Sequence, residues 1–163
     1  MKTRHIISIL VIISLHGTAQ IPQPISMTNY PSFYTQIVNK LNNIIPNKTV
    51  YYNQPLSVLL QTLSQNNLTI KAYDPVPYNN RYLKLMFIDD AETNSERRKN
   101  GYVAPYIDIY FKQPYNYQQA SAIINQYHWF WNSTAENFYK NLLIEKIEFW
   151  YVRGLTDKSM DPK

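Results

Sequence analysis

Two segments of alternating apolar and polar residues, at positions 81–88 and 106–112, constrain the fold of this chain most strongly. In each segment a large aliphatic or aromatic residue recurs at every second position, so that one face is apolar. A period of two is typical of β-strands that are buried on one side. We therefore predict an antiparallel ribbon with a charged loop at 89–101 and its apolar face towards the core. The side chains assigned to that face are Leu83, Leu85, Phe87, Ile107, Ile109 and Phe111.

Apolar residues recur at intervals of three and four in four other segments, which predicts amphipathic helices. Two of these helices occupy residues 32–45 and 55–65, and the second has Asn53 available as its N-cap. The third begins after Asn116, another capping residue type. The fourth begins at Ser133, where Ser-Thr-Ala-Glu has the spacing of a capping box.

Three short runs predict the remaining strands, at residues 49–52, 68–73 and 146–153. The first two of these strands and the helix between them predict a β-α-β unit near residues 49–73. We expect a frayed polar tail at 155–163. The predicted fold class is α+β: a mainly antiparallel sheet of about five strands, with three or four helices packed on one face.

The predicted β-α-β unit also resembles a known family. The residues TVYYNQPL at 49–56, LLQTL at 59–63 and NLTI at 67–70 resemble the short N-terminal domain of secretins and TonB-dependent receptors. The resemblance implies a small domain of the cell envelope that contacts other proteins and is not catalytic. It covers this unit alone and assigns no functional residue.

The N-terminus has the three parts of a secretory signal peptide. Lys2 and Arg4 precede an apolar run at 6–15, and small residues follow at 17–19. The run is about half of the ~20 residues that span a bilayer, so we expect no transmembrane segment. We expect cleavage after the last small residue, which leaves residues 20–163 as one exported domain with an extended lead-in, in the periplasm or outside the cell.

Histidine and cysteine usage excludes several chemistries. The chain has no cysteine, and His128 is the only histidine after residue 19. A zinc site built from nitrogen and sulfur ligands within one chain is therefore excluded, as is a cysteine nucleophile. His128 lies within the aromatic run YHWFW at 127–131, which we interpret as a helix end whose rings pack in the core.

The charged loop has a partial likeness to a calcium loop, because oxygen-bearing side chains alternate from Asp90 to Glu96. Such a loop requires glycine at its sixth position and a bidentate glutamate at its twelfth, and this chain has Ser95 and Gly101 there. The net charge of +5 is spread along the chain and forms no long basic patch. We expect no metal, no cofactor and no nucleic-acid partner.

Paired carboxylates leave one enzyme class open, the glycosidases. The candidate pairs are Asp89 with Asp90 at a strand end, and Asp108 with Glu148 on neighbouring strands. Acidic residues on exposed strand faces are common, so we expect a protein that is not an enzyme.

The polar side of the predicted sheet is the strongest candidate for a binding surface. Tyrosine and tryptophan, which have an apolar ring and a polar tip, recur there and are enriched at recognition surfaces. The alternatives are that a helix half-covers this side, or that the rings only form cross-strand pairs. The candidate binding residues are Tyr82, Lys84, Tyr106, Asp108, Tyr110 and Trp150.

These features together predict a small exported, non-enzymatic protein of the bacterial cell envelope that binds another protein. An immunity or inhibitor protein is one concrete form. The alternative is a carbohydrate-binding or carbohydrate-active protein that uses an aromatic surface and paired carboxylates.

Overall fold

The computed structural model describes residues 23–75 and 79–163. The signal peptide predicted at residues 1–19 lies outside these residues. Within the described ranges, no helix combines the length and the hydrophobicity that crossing a membrane requires.

The described residues form an antiparallel four-stranded sheet with helices, which confirms the α+β class. The strands are neighbours in chain order and have the bounds β1 (Ala72–Asp74), β2 (Tyr82–Met86), β3 (Tyr106–Phe111) and β4 (Ile144–Trp150). The helices are α1 (Tyr30–Asn42), α2 (Leu56–Gln65), α3 (Ala91–Lys99), α4 (Tyr117–Tyr127) and α5 (Ser133–Tyr139), with a 3₁₀ helix at Ile45–Tyr51. The sheet thus has one strand fewer than predicted, and there are more helices.

The hydrophobic core lies between the helices and one face of the sheet. Leu83 pairs with Ile109 and Leu85 with Ile107 across β2 and β3, so the predicted ribbon and its register are confirmed. These four side chains are fully buried, in one cluster with the apolar faces of the helices. Burying a side chain of this size contributes about 1.5–3 kcal/mol, so this face determines how the sheet is oriented.

The β-α-β unit predicted near residues 49–73 is wrong, because its first segment is part of the 3₁₀ helix Ile45–Tyr51. Pro46 lies in the first turn of that helix, where its fixed φ favours helical backbone. Sheet-like pairing begins only afterwards, where the N–H of Asn53 donates to the carbonyl of Ile144 at 2.8 Å. The strand of the family resemblance is therefore absent at this position.

Helix α2 begins without the side-chain cap that Asn53 was predicted to provide. The N–H groups of Leu56 and Ser57 donate instead to the carbonyls of Leu142 and Lys140, both at 2.9 Å. Because backbone carbonyls from a distant segment satisfy these donors, no capping side chain is needed there. The predicted caps of the later helices agree better with the structure. Asn116 caps α4, as predicted. The cap of α5 is Asn132, one residue before the predicted Ser133.

The charged loop predicted at 89–101 contains helix α3. Asp90 is its N-cap, and the carboxylate accepts a hydrogen bond from the N–H of Thr93 at 2.6 Å. Basic residues occupy its last turn, where they complement the negative end of the helix dipole. Because α3 has no apolar stripe, its periodicity gives no helical signal, and only its ends indicate it.

The polar tail after β4 is ordered against the sheet, so the prediction of a frayed tail is wrong. The N–H of Phe149 donates to the carbonyl of Lys163 at 2.9 Å, and the N–H of Lys163 donates back at 3.0 Å. Arg153 forms an ion pair with Asp161 at 2.6 Å. The tail therefore covers part of the open edge of β4.

The aromatic run at 127–131 extends the opposite edge of the sheet beside β1. The N–H of Tyr73 donates to the carbonyl of Trp129 at 3.1 Å, and Phe130 forms an antiparallel bridge to the same strand. Tyr127 and Trp131 meet the expectation of core packing, and the ring of Trp131 lies 5.5 Å from that of Tyr73. Trp129 and Phe130 are 47% and 40% exposed, so for these two rings the prediction is wrong.

Candidate functional site

The face of the sheet opposite the core is a three-by-three array of side chains from β2, β3 and β4, which we call the outer face. Strand register places one residue of each strand in each row, and the central row contains two carboxylates. All six residues predicted as binding residues belong to this array. Its rows are Tyr82, Tyr110 and Lys146; Lys84, Asp108 and Glu148; and Met86, Tyr106 and Trp150.

Asp108 lies at the centre of the outer face and is 5% exposed. The hydroxyl of Tyr82 donates a hydrogen bond to its Oδ1. Burial raises the pKa of Asp108 to about 6, against the opposing effects of the Tyr82 hydrogen bond and the positive charge of Lys84. The buried Nε1–H of Trp150 lowers the pKa of Asp108 in the manner of a weak hydrogen-bond donor, although it does not reach hydrogen-bond geometry with any group of the described residues.

Glu148 is the second buried carboxylate of this face, directly opposite Asp108. Lys146 forms an ion pair with Glu148, and the hydroxyl of Tyr110 donates to its Oε2 at 3.2 Å. The hydrogen bond to Glu148 raises the pKa of Lys146. Burial, and then the charge of Glu148, raise the pKa of Tyr110 to about 12. Both carboxylates are thus engaged by side chains of the same face.

The rings of the outer face are held against one another. Tyr106 stacks on Trp150 with centroids 6.0 Å apart, and Tyr82 meets Tyr110 edge to face at 5.4 Å. The Nζ of Lys84 lies 4.2 Å from the centroid of the Tyr106 ring, in a cation–π contact. These contacts restrict the side-chain rotamers, so the surface is organised before any ligand binds.

Exposure divides the predicted binding residues into two groups. Tyr82 and Asp108 are buried and support the surface from below. The other four, Lys84, Tyr106, Tyr110 and Trp150, are partly exposed and can contact a ligand.

Two further residues belong to this surface and were not predicted, whereas Lys146 lies on the strand face where the alternation places it. Met86 follows the same alternation as its neighbours, so strand parity was the signal that identifies it. Tyr151 follows β4 with a left-handed φ of 53°, and its ring meets that of Tyr106 edge to face at 5.6 Å. Because this φ breaks the strand alternation, no pattern in the sequence indicates its position.

The remaining candidate chemistries have little support in the geometry. Asp90 is engaged as the cap of α3. His128 is exposed at the C-terminal end of α4. Among residues 23–75 and 79–163, no group of three or more His, Cys, Asp or Glu side chains is arranged to hold a metal ion.

No protein-family model, no curated protein and no solved structure matches this chain.

Proposed function

We propose that this chain is a small exported, non-enzymatic protein of the bacterial cell envelope that binds another protein through the outer face. A concrete form is an immunity or inhibitor protein that neutralises a toxin or hydrolase in the periplasm. The observation that supports this proposal most is the aromatic group of Tyr106, Tyr110 and Trp150, which are partly exposed on the face of the sheet opposite the core. Such residues are enriched at protein interfaces because they combine a large apolar area with a polar tip.

Preorganisation favours binding by this surface. Ordering a flexible side chain at an interface costs about 0.5–1.5 kcal/mol, and rings that are already stacked avoid much of that cost. The stacking of Tyr106 on Trp150 and the hydrogen bond from Tyr110 to Glu148 provide this order in the free protein.

Charge on the outer face indicates the chemistry of the partner. Its two carboxylates are buried, whereas Lys84 is half-exposed and Lys146 is exposed. The charged groups that a partner can contact directly are therefore ammonium groups, of which that of Lys146 is already paired with Glu148. A partner with acidic residues around an apolar centre would complement them, and such complementarity mainly increases the rate of association and the specificity.

A capture experiment with matched variants tests the proposal. The mature protein is immobilised and incubated with envelope extract, in parallel with Tyr110→Ala and Trp150→Ala. We expect both substitutions to reduce the captured partner, because interface aromatics often contribute more than about 1 kcal/mol each. Trp129→Ala removes an exposed aromatic ring at another edge of the sheet and should leave capture unchanged. Equal capture by all four proteins would contradict the proposal.

Export is tested separately. Mass spectrometry of the mature protein should identify Gln20, or its cyclised form, as the N-terminal residue. An intact Met1 in a cytosolic fraction would contradict the proposed compartment.

A second candidate function, carbohydrate binding or hydrolysis, is favoured by one observation. Asp108 and Glu148 are directly opposite each other on neighbouring strands, and the raised pKa of Asp108 is a property of a general acid. Cβ atoms of such a pair lie about 4.5–5.5 Å apart, and retaining glycosidases separate their carboxyl groups by a similar distance. Both carboxylates are buried and each accepts a hydrogen bond from a tyrosine, which makes this the weaker candidate.

Glycan beads and glycosidase assays separate the two candidates. The carbohydrate function predicts that the protein is retained on peptidoglycan or glycan beads. Hydrolysis predicts in addition that it releases reducing ends, and that Asp108→Asn and Glu148→Gln abolish this release. If the protein captures an envelope protein but is not retained on the beads, the protein-binding function is favoured.

A further inference from the structure

A cavity of about 400 Å³ lies where the end of α3, the loop that follows it and the segment after β4 meet. Three of its lining side chains are cationic and none is acidic. The lining residues are Arg97, Arg98, Tyr102, Val103, Tyr151 and Lys158. A concave surface with this composition has a positive electrostatic potential, which raises the local concentration of anions.

Arg97 is the most deeply placed cation of the cavity and is half-buried. Its Nε donates to Oδ1 of Asn94 at 3.0 Å and its Nη1 to the carbonyl of Tyr102 at 3.4 Å. No carboxylate pairs with it within the described residues, and burial lowers its pKa. A guanidinium has five N–H donors, so several remain for a ligand.

The other two cations are also without an acidic partner in the described part of the chain. The Nε of Arg98 donates to the carbonyl of Asn94 at 2.9 Å, which leaves its terminal nitrogens available. Lys158 is exposed and comes from the tail that folds back against the sheet. The dipole of α3 accounts for basic residues in its last turn, but it does not account for a lysine from a separate segment.

A smaller cavity of about 160 Å³ connects this site with the outer face. Arg97 and Tyr151 line both cavities, and Lys84 and Tyr106 of the outer face line the smaller one. The two cavities therefore adjoin each other at Arg97 and Tyr151.

We propose that the larger cavity is an oxyanion-binding site, which holds a carboxylate or a phosphate group between Arg97, Arg98 and Lys158. The planar fork of a guanidinium matches both groups and forms charge-assisted hydrogen bonds with them. Lys158 adds a flexible point charge to the lining of the cavity. This proposal concerns a site beside the outer face and does not depend on what binds to the outer face.

Isothermal titration calorimetry at constant ionic strength tests the site with two probes, inorganic phosphate and citrate. We expect saturable binding of at least one probe to the wild-type protein. Arg98→Gln combined with Lys158→Gln should weaken that binding about tenfold or more, because charge-assisted hydrogen bonds are lost. Both residues are exposed, so this variant should fold. Adding Arg97→Gln to this double variant should weaken binding further, and circular dichroism checks that the triple variant folds.

Arg81→Gln combined with Lys112→Gln is the matched control. Both residues are exposed, neither lines the cavity, and the pair removes the same charge at the other end of the ribbon. Preference for phosphate or for citrate identifies which oxyanion the site takes. Absence of saturable binding by either probe, or equal weakening by the control variant, would overturn the proposal. Because capture by the outer face is a different measurement, the two proposals can fail independently.

Discussion

The hydroxyl of Tyr82 donates a hydrogen bond to Oδ1 of Asp108 across the β2–β3 pair, at the centre of a sheet face that faces away from the core. Burial raises the pKa values of both groups, and their contact raises the pKa of Tyr82 further because a phenolate would be repelled by the carboxylate. The contact also lowers the pKa of Asp108, but burial has the larger effect. The charge state of Asp108 therefore depends on pH within the range where the protein can be studied.

The first prediction is a fall in stability as Asp108 ionises. Its pKa is raised from 3.8 to about 6 on folding, so above about pH 4 the folded state binds more protons than the unfolded state. The stabilising contribution of the neutral carboxyl is complete below the unfolded pKa and is lost as pH rises through about 6. For this group we expect a loss of roughly 2–3 kcal/mol in the free energy of unfolding.

Urea denaturation between about pH 4 and pH 8 measures this effect. Asp108→Asn has no carboxyl to ionise, so its profile should be flatter than that of the wild type. Asp89→Asn, which removes a carboxylate outside the outer face, should keep the wild-type slope. If Asp108→Asn retains the full wild-type slope, Asp108 is not the group responsible.

The second prediction contrasts two adjacent residues of β3. Ile109 is fully buried in the core, whereas Tyr110 is half-exposed on the outer face. Ile109→Ala should lower the free energy of unfolding by roughly 2–5 kcal/mol, because it leaves a cavity. Tyr110→Ala removes one hydrogen bond, one ring contact and a cation–π contact with Lys146, all on a partly exposed face, so we expect a loss of about 1 kcal/mol. Thermal melts of both variants test which face of β3 is buried. Equal destabilisation would mean that both faces are buried.

The register of the central ribbon could be predicted because side-chain alternation and burial agree along β2 and β3. Leu83 and Ile109 had to face the core, and the same parity placed Tyr82, Lys84 and Asp108 together on the other face. The burial of Tyr82 and Asp108 could not be predicted, because it depends on how the neighbouring rings pack above them.

Elements without a periodic apolar face were the ones that sequence patterns missed. Helix α3 is polar on all sides, and only Asp90 at its start and the basic residues of its last turn indicated it. The strand predicted at 49–52 had the residue types of a strand, but Pro46 in the first turn favours helical backbone there, and pairing with β4 begins only at Asn53. The oxyanion cavity joins Arg97 to Lys158, and no local pattern predicts a contact between such distant segments.

The third prediction concerns the N-cap of α3. Asp90→Ala should lower the free energy of unfolding by about 1 kcal/mol, because the N–H of Thr93 loses its acceptor. Asp90→Asn keeps a side-chain oxygen that can accept the same hydrogen bond, so it should be close to the wild type. Chemical denaturation of both variants measures the difference. An Asp90→Asn variant as unstable as Asp90→Ala would show that the negative charge, and not the cap, is what stabilises the helix.

The last prediction concerns two fully buried tyrosines, Tyr73 and Tyr139, whose hydroxyls have no hydrogen-bond partner within the described residues. Burial of an unpaired hydroxyl is unfavourable, and it raises the pKa of Tyr73 to about 12. Replacing either with phenylalanine should therefore increase the free energy of unfolding by about 1 kcal/mol. Tyr30→Phe is the matched control, since the buried hydroxyl of Tyr30 donates to the carbonyl of Val103 at 2.8 Å and its loss should destabilise the protein. Thermal melts that rank all three variants below the wild type would show that the hydroxyls of Tyr73 and Tyr139 are hydrogen-bonded.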